Sequence, residues 1–506
     1  MTRMPPSVLV SRLMRSLEVL GVTAALTLPV TLTACKSSAP AASSTTSSQS
    51  SSQSSSSSRP DARAPLPDAS STSDASMAHV PDATSPPRDA PAKLPEANTP
   101  DVHRPDAPKS MTNFCALPGS VVWSGGAPQA VAGGPANAPD LTWMKLPNGY
   151  CSHYFGTVPE TRQLRFSPSG DLFVASPSQA AAGGASGGVG AIVVLPDDNH
   201  DGVADSTLTY MANLPITQGL LFANSSLYYQ NGTSIYQTPY TNGDRMAGSA
   251  GTQVIDVTVY TSTDHWAKVL DIDDNGNIYV TNGGDEGIAC NATLTEAERP
   301  FQGGILKIDG TPNGTQVAKG LRNVYALRCA KGTGMCFGLE LARDFAPELG
   351  SREKLIPVRQ GDDWGFPCCA SANLPYSDYT NPAPDCSGVA AETDSFVIDH
   401  TPFALDFEEG FWSGTWQYRA FVGLHGYFGS WIGARVVGIA TNAATGWPES
   451  AAEADAGTTM EDFATGWDDG KQDHGRPAAI AFSPDGRLFI GNDMNGQIVW
   501  VAPVTN

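Results

Sequence analysis

A side chain that acts as a general base needs a pKa near neutrality and a partner that fixes its orientation. His265 fits that description. It stands just before the run Val269-Leu-Asp-Ile, which alternates as a strand, and Asp285 follows the paired run Ile278-Tyr-Val-Thr-Asn. A neutral imidazole there suits a general base. Asp285 is placed to orient that imidazole and stabilise its charged form. The same histidine also suits a hydrogen-bonded structural role.

A second constellation is Asp197-Asp-Asn199-His-Asp201-Gly-Val-Ala-Asp205. Oxygen side chains at alternate positions, with Gly after the third, are similar to the first half of a calcium loop, and Asp205 would complete the shell in place of the usual Glu. An Asp/Asn-rich hairpin turn is the alternative for these residues. The ion would be structural. The chain has no nucleotide-binding glycine loop followed by Lys-Ser/Thr, no Gly-x-Ser-x-Gly and no His-Glu-x-x-His.

Charge and cysteine usage narrow the classes further. A formal net charge of -21 argues against a nucleic-acid partner, which needs a basic footprint. Of the 9 cysteines, Cys35 sits apart, and Cys115, Cys151, Cys290, Cys329, Cys336, Cys368, Cys369 and Cys386 form an even set suited to disulfides in an exported chain. Cys329 and Cys336 flank Ala-Lys-Gly-Thr-Gly-Met and are expected to close a hairpin. No Cys-x-x-Cys is present, which leaves zinc and thioredoxin-like chemistry without support.

These residues must be positioned by the elements around them. Residues 1–34 read as an export signal, with Arg3, Arg12 and Arg15 before an apolar run from Val19 to Leu32. The run ends in Leu32-Thr-Ala-Cys35, which resembles a bacterial lipobox and implies lipidation of Cys35. Residues 35–110 are rich in Ser, Pro, Ala and Asp, too poor in apolar surface to offset their ordering entropy, and read as a disordered tether. The chain is therefore expected at the cell envelope, lipid-anchored, facing the periplasm or the cell surface.

Residues 111–506 carry a hairpin repeat: strand, Pro/Asp/Asn-Gly turn, strand. It appears as Phe166-Ser-Pro-Ser-Gly-Asp-Leu-Phe-Val, Ile272-Asp-Asp-Asn-Gly-Asn-Ile-Tyr-Val and Phe482-Ser-Pro-Asp-Gly-Arg-Leu-Phe-Ile. Weaker copies start at Phe222, Cys329 and Tyr418, making six. Spacings of about fifty to ninety residues fit four-stranded blades, so the expected fold is all-β, a six-bladed β-propeller. Trp364, Trp412, Trp416, Trp431 and Trp467 are expected in its core rather than stacked on sugar rings.

Four segments in order resemble the pyrroloquinoline quinone (PQQ)-dependent glucose/sorbosone dehydrogenases, most like the sorbosone-type branch. They are Asp264-His265 through Asp285, then Gly320-Leu-Arg322-Asn323, then Gly361-Asp-Asp-Trp-Gly-Phe-Pro367. The fourth runs from Phe421-Val-Gly-Leu-His425-Gly through Phe463-Ala-Thr-Gly-Trp467 to Gly475-Arg476-Pro477. The resemblance implies PQQ over the central channel with calcium polarising the quinone, and oxidation of a sugar or sugar aldehyde with electrons passed to an external acceptor. It implies Asp264, Arg322, Asn323, His425 and Arg476 at the cofactor: Arg322 stabilising negative charge on a quinone oxygen, Asn323 bonding the rim, and His425 and Arg476 as cationic contacts to carboxylates. Gln218 is a further channel candidate, more readily read as structural. One departure stands out: the stretch Leu339-Glu-Leu-Ala-Arg-Asp344 has no Gly where the family turns a calcium-binding loop. A propeller binding carbohydrate or protein without a cofactor is the alternative, and a calcium-dependent lactonase-type hydrolase a third.

Overall fold

The structure, a computed structural model, describes residues 112–177, 190–256, 265–284, 290, 303–343, 351–379, 382–427, 431–452, 460–470 and 474–505. Cys35, Asp264, Asp285, the export signal and the tether lie outside the described residues.

The three strong copies of the repeat form one and the same turn. A side-chain oxygen of Ser167, Asp273 or Ser483 accepts the N–H four residues on, at 3.1, 2.8 and 2.9 Å. The residue before that N–H is glycine with positive φ: Gly170 at 97°, Gly276 at 82° and Gly486 at 91°. A side chain there would strain the left-handed backbone, so the Ser/Asp-x-x-Gly pattern is a direct record of the turn. Each turn joins the innermost strand of a blade to its second strand.

Six four-stranded antiparallel units result. Blade 1 is Gln163–Phe166, Leu172–Ser176, Gly190–Leu195 and Leu208–Leu214; blade 2 is Leu220–Ala223, Ser226–Asn231, Ser234–Pro239 and Thr252–Asp256. Blade 3 is Leu270–Ile272, Ile278–Asn282, Gly304–Ile308 and Thr315–Lys319. Blade 4 is Asn323–Ala330, Met335–Leu341, Glu353–Pro357 and Asp394–Phe396; blade 5 is Pro402–Phe407, Ala420–Leu424, Arg435–Ile439 and Met460–Ala464. Blade 6 joins Pro477–Phe482, Leu488–Asn492 and Gln497–Pro503 to Tyr150–Thr157 from the other end of the domain, and Val121–Ser124 and Ala127–Ala130 extend it outward. The innermost strands touch their neighbours in blade order, and blade 6 returns to blade 1. The protein is a six-bladed β-propeller.

The core lies between blades rather than within one. Leu164, Val174, Ala479 and Phe489 meet at the 6–1 interface; Phe173, Val194, Leu220 and Tyr229 at 1–2; Tyr228, Ile235, Leu270 and Val280 at 2–3. Val269, Ile305, Val324 and Ile356 fill 3–4, Phe337, Leu355, Leu405 and Val422 fill 4–5, and Trp412, Phe421, Val436 and Ile480 fill 5–6. Second strands such as Leu172–Ser176 and Leu488–Asn492 are buried at every residue because each face is covered by a neighbouring blade. The five tryptophans expected in the core are all buried. Cys329 and Cys336 stand opposite each other on the first hairpin of blade 4 and are bonded, as expected; the other bridges are Cys115–Cys151, Cys290–Cys368 and Cys369–Cys386. One weak repeat copy is corrected. Tyr418 leads into a single strand, Ala420–Leu424, whose hairpin partner Pro402–Phe407 lies before it across a short 3-10 turn at Gly414–Trp416.

Candidate active site

Because every blade repeats one topology, the first residues of all innermost strands encircle one mouth of the channel. So do the ends of the second strands, which run antiparallel to them. Arg162 (blade 1), Gln218 (blade 2), His265 to Val269 (blade 3), Arg322 and Asn323 (blade 4), Phe403 and His425 (blade 5), and Arg476 and Asp493 (blade 6) all fall in this ring. The fold thus brings together the described residues that the sequence singled out from four distant segments. Below the ring the channel narrows to about 30 Å³ between Arg162, Gln218, Val269, Tyr325 and Phe403, room for a water or two.

The blade 5, 6 and 1 side is closed on one carboxylate. Asp493 accepts from Arg476 at 2.8 and 3.2 Å and from His425 Nε2 at 2.9 Å, and Arg162 Nη1 lies 3.4 Å away. Burial pushes Asp493 up, but the hydrogen bond from His425 and the charges of Arg162 and Arg476 outweigh it and hold the carboxyl well below its usual range. His425 moves to about 4, chiefly through burial. It is therefore neutral near pH 7 and donates Nε2–H to Asp493. The sequence leads one to expect a cationic contact at His425; without a ligand the ring is bonded to Asp493 and burial lowers its pKa. The His425 ring stacks on Phe403 at 4.0 Å, and Phe403 stacks on Tyr325 at 4.0 Å, with Arg162 hydrogen-bonded to Tyr325. Arg476 also lies over the Trp431 ring, 5.4 Å from its centroid.

The blade 2, 3 and 4 side is different. His265 is buried and its Nδ1 hydrogen-bonds the Gly284 carbonyl. A carbonyl only accepts, so Nδ1 carries a proton in this hydrogen bond. The Gly284 N–H donates to the Arg322 carbonyl at 2.6 Å, which ties the His265 segment to the blade 4 segment. Arg322 is held in turn: its own N–H donates to Glu340 Oε1 at 2.8 Å, and Glu340 is ion-paired with Lys354 at 2.8 Å. Thr217 Oγ1, Gln218 Oε1, Lys268 Nζ and Asn323 Oδ1 are buried and without a hydrogen-bond partner among the described residues. These orphaned atoms sit on three adjoining blades at the same mouth. Buried polar groups are normally satisfied, and a group of them left open marks a place where a polar ligand or ordered water completes the set.

Arg162, Thr217, Lys268, Tyr325, Phe403 and Asp493 were not singled out from sequence. A usable sign was there: most of them lie within a few positions of the start of an innermost strand or, for Asp493, just after a second strand.

Most side chains of the candidate calcium loop bond within it, while Asp197 Oδ1 is buried without a hydrogen-bond partner among the described residues. Asp205 does fold back over it, but its oxygens accept from Asp198 N–H at 2.6 Å and Asn199 Nδ2 at 2.8 Å, while Asn199 and Asp201 accept the N–H groups two residues on. Arg487 approaches Asp197 at 3.8 Å. This is the hydrogen-bonded turn alternative, and among the described residues no three His, Cys, Asp or Glu are placed to hold a metal ion. Of the stretch Leu339–Asp344, residues 339–341 complete the strand Met335–Leu341, and Asp344 lies outside the described residues. At the opposite end of the channel lies a larger cavity of about 460 Å³. Its wall is a paired network, Arg165–Asp271 at 3.1 Å and Arg328–Asp406 at 2.8 Å, with Cys329 and Phe482 N–H groups on the carboxylates. That end forms a floor whose charges are spent on one another.

Residues 157–343 match a family described as a domain of unknown function, DUF7133. No curated protein sequence matches the chain. An enzyme of carbohydrate-active family AA12 from Trichoderma reesei is similar in structure, with TM-score 0.59 and 16% identity over 74% of this chain and 100% of that one. A glucose dehydrogenase gives TM-score 0.50 and 12% identity, covering 70% and 99%. The soluble aldose sugar dehydrogenase of Escherichia coli, in its apo form, gives the same values. The chain shares their propeller fold. At these identities the fold is what the likeness establishes.

Proposed function

We propose that this chain is a sugar oxidoreductase that seats PQQ, with calcium, at the channel mouth, oxidises a sugar or sugar aldehyde, and passes the electrons to an external acceptor. The observation that carries the reading is the blade 2–4 side of the mouth: a buried histidine whose Nδ1 donates to Gly284, an arginine whose backbone is fixed by Glu340, and orphaned polar atoms on the same blades. The residues fit the group. PQQ carries several carboxylates and carbonyl oxygens, for which Arg322 and Lys268 would supply positive charge; the unpartnered amide oxygens of Asn323 and Gln218 would instead face the calcium ion or the cofactor's N–H. When bound, the quinone supplies the two-electron acceptor, and the protein supplies positioning and electrostatics. His265 Nε2 takes the hydroxyl proton of the substrate, Gly284 holds its ring, and Arg322 stabilises negative charge on the neighbouring oxygen. The sugar-dehydrogenase titles of the similar structures agree with this reading.

The test is dye reduction by the full chain, loaded with PQQ and Ca²⁺, across a panel of aldoses and aldehydes. Turnover that falls by about a hundredfold or more in His265→Ala supports the reading; a panel with no turnover in a chain that binds PQQ would refute it. One observation favours a second reading, a propeller that binds carbohydrate or protein without redox chemistry: His425 and Arg476 are bonded to Asp493. We further propose that Cys35 is lipidated and that residues 35–110 tether the domain to the envelope, which Cys35→Ala should release into the soluble fraction.

A further inference from the structure

Lys268 is fully buried, and its ammonium nitrogen has no hydrogen-bond partner among the described residues. Desolvation without a countercharge is expensive, and a chain retains such a group where a ligand supplies the missing partner or where the group neutralises. Three observations place its backbone near the mouth. It is three residues from His265 and two before the innermost strand of blade 3. Its backbone is clasped by blade 2: Lys268 N–H donates to Gln230 Oε1 at 3.0 Å, and a Cβ on Gly219 would lie 2.1 Å from the Lys268 carbonyl oxygen. The next residue, Val269, lines the central cavity together with Gln218 and Tyr325. The remaining orphaned atoms, Thr217 Oγ1, Gln218 Oε1 and Asn323 Oδ1, come from the two blades that flank it. Lys268 gives this set a donor that ionises; Gln218 Oε1 and Asn323 Oδ1 accept, and the Thr217 hydroxyl can donate or accept.

We propose that Lys268 is a ligand-binding residue of the mouth, whose ammonium group grips an anionic oxygen of the bound cofactor. The assignment rests on the function proposed above. Burial pulls Lys268 down to about 7 in the unliganded protein. An anion seated on it would draw a proton onto the amine, so binding takes up a proton above that pH. Around it, blade 3 supplies His265, blade 4 supplies Arg322 and Tyr325, and blade 2 supplies the uncharged Thr217, Gln218 and Gln230. Replacing Lys268 by Arg keeps a charge at every working pH, which separates titration of Lys268 from titration of His265.

The test is equilibrium dialysis of PQQ against the full chain in excess Ca²⁺, from well below to well above pH 7, for wild type, Lys268→Met and Lys268→Arg. Wild type is expected to lose affinity as pH rises past about 7. Lys268→Met should bind about tenfold to a hundredfold more weakly at the acid end and lose that slope, whereas Lys268→Arg should bind with a flatter profile. Unchanged affinity and slope in Lys268→Met, with wild type binding normally, would overturn the role of Lys268 and leave the proposed function intact. No binding by wild type would overturn the function and this assignment together. Melting of the unliganded chain is the second readout. Lys268→Met is expected to melt higher than wild type, because an unpaired buried amine is replaced by an apolar chain. A lower melting temperature would show that the amine has a structural partner and would equally overturn the assignment.

Discussion

The two halves of the channel mouth are made of similar residue types and are held in opposite electrostatic states. On the blade 5, 6 and 1 side, Arg162, His425 and Arg476 converge on Asp493, and His425 and Tyr325 are stacked through Phe403. On the blade 2, 3 and 4 side, Thr217, Gln218, Lys268 and Asn323 keep buried polar atoms without partners beside His265 and Arg322. The first half is an ionic lock on Asp493 where the ring closes. The second half has capacity left over. Charge alone therefore does not mark a ligand site; what marks it is charge and hydrogen-bonding capacity that the fold leaves unspent.

The comparison breaks most easily at Asp493. Asp493→Ala would leave the buried Arg162 and Arg476 without their shared carboxylate, and the expected cost is about 3–5 kcal/mol, read by urea denaturation. A loss near zero would mean that the lock does not hold the ring. On the other half the sign reverses: Lys268→Met should stabilise the unliganded chain by about 1–3 kcal/mol, measured the same way.

Both halves also predict how stability follows pH. Lys268 is lowered from 10.5 to about 7 by burial, so between those values the unfolded chain binds a proton that the folded chain does not. Stability of the unliganded protein should rise across that window, and Lys268→Met should flatten the rise. His425 is lowered from 6.5 to about 4, so stability should fall as pH drops through that interval, and His425→Gln should blunt the fall. The smallest stability effect is expected at Gln218→Leu. Its Oε1 makes no hydrogen bond and its Nε2 reaches the Tyr325 carbonyl at a long 3.5 Å, so the change should cost under about 1 kcal/mol while weakening cofactor binding.

The fold was legible because its turn is chemical. Ser167, Asp273 and Ser483, each with a glycine three residues on, print the same hairpin three times, and the copy at Phe222 closes through Asn224 and Ser225, both in left-handed backbone. The copy at Tyr418 misled because blade 5 makes that connection through a longer segment with a 3-10 turn, so an isolated strand passed for a hairpin. At the site, His265, Arg322, Asn323, His425 and Arg476 were visible through local motifs. Lys268 stood inside the quoted segment but carries its meaning through burial and the lack of a partner, which spacing does not reveal. Asp493 was hidden for a related reason: it meets Arg162 and His425 through the closure of the ring, across distant positions in the chain. Local sequence reports the residue type of His425, whereas the burial that lowers its pKa comes from the folded ring.

The most direct measurement is a spectrophotometric titration of the full chain with PQQ in saturating Ca²⁺. A stoichiometric, chelator-sensitive change in PQQ absorbance, weakened by Lys268→Met, is the predicted result. An absorbance that stays that of free PQQ at every protein concentration would contradict the central claim and leave a propeller whose open half receives some other ligand.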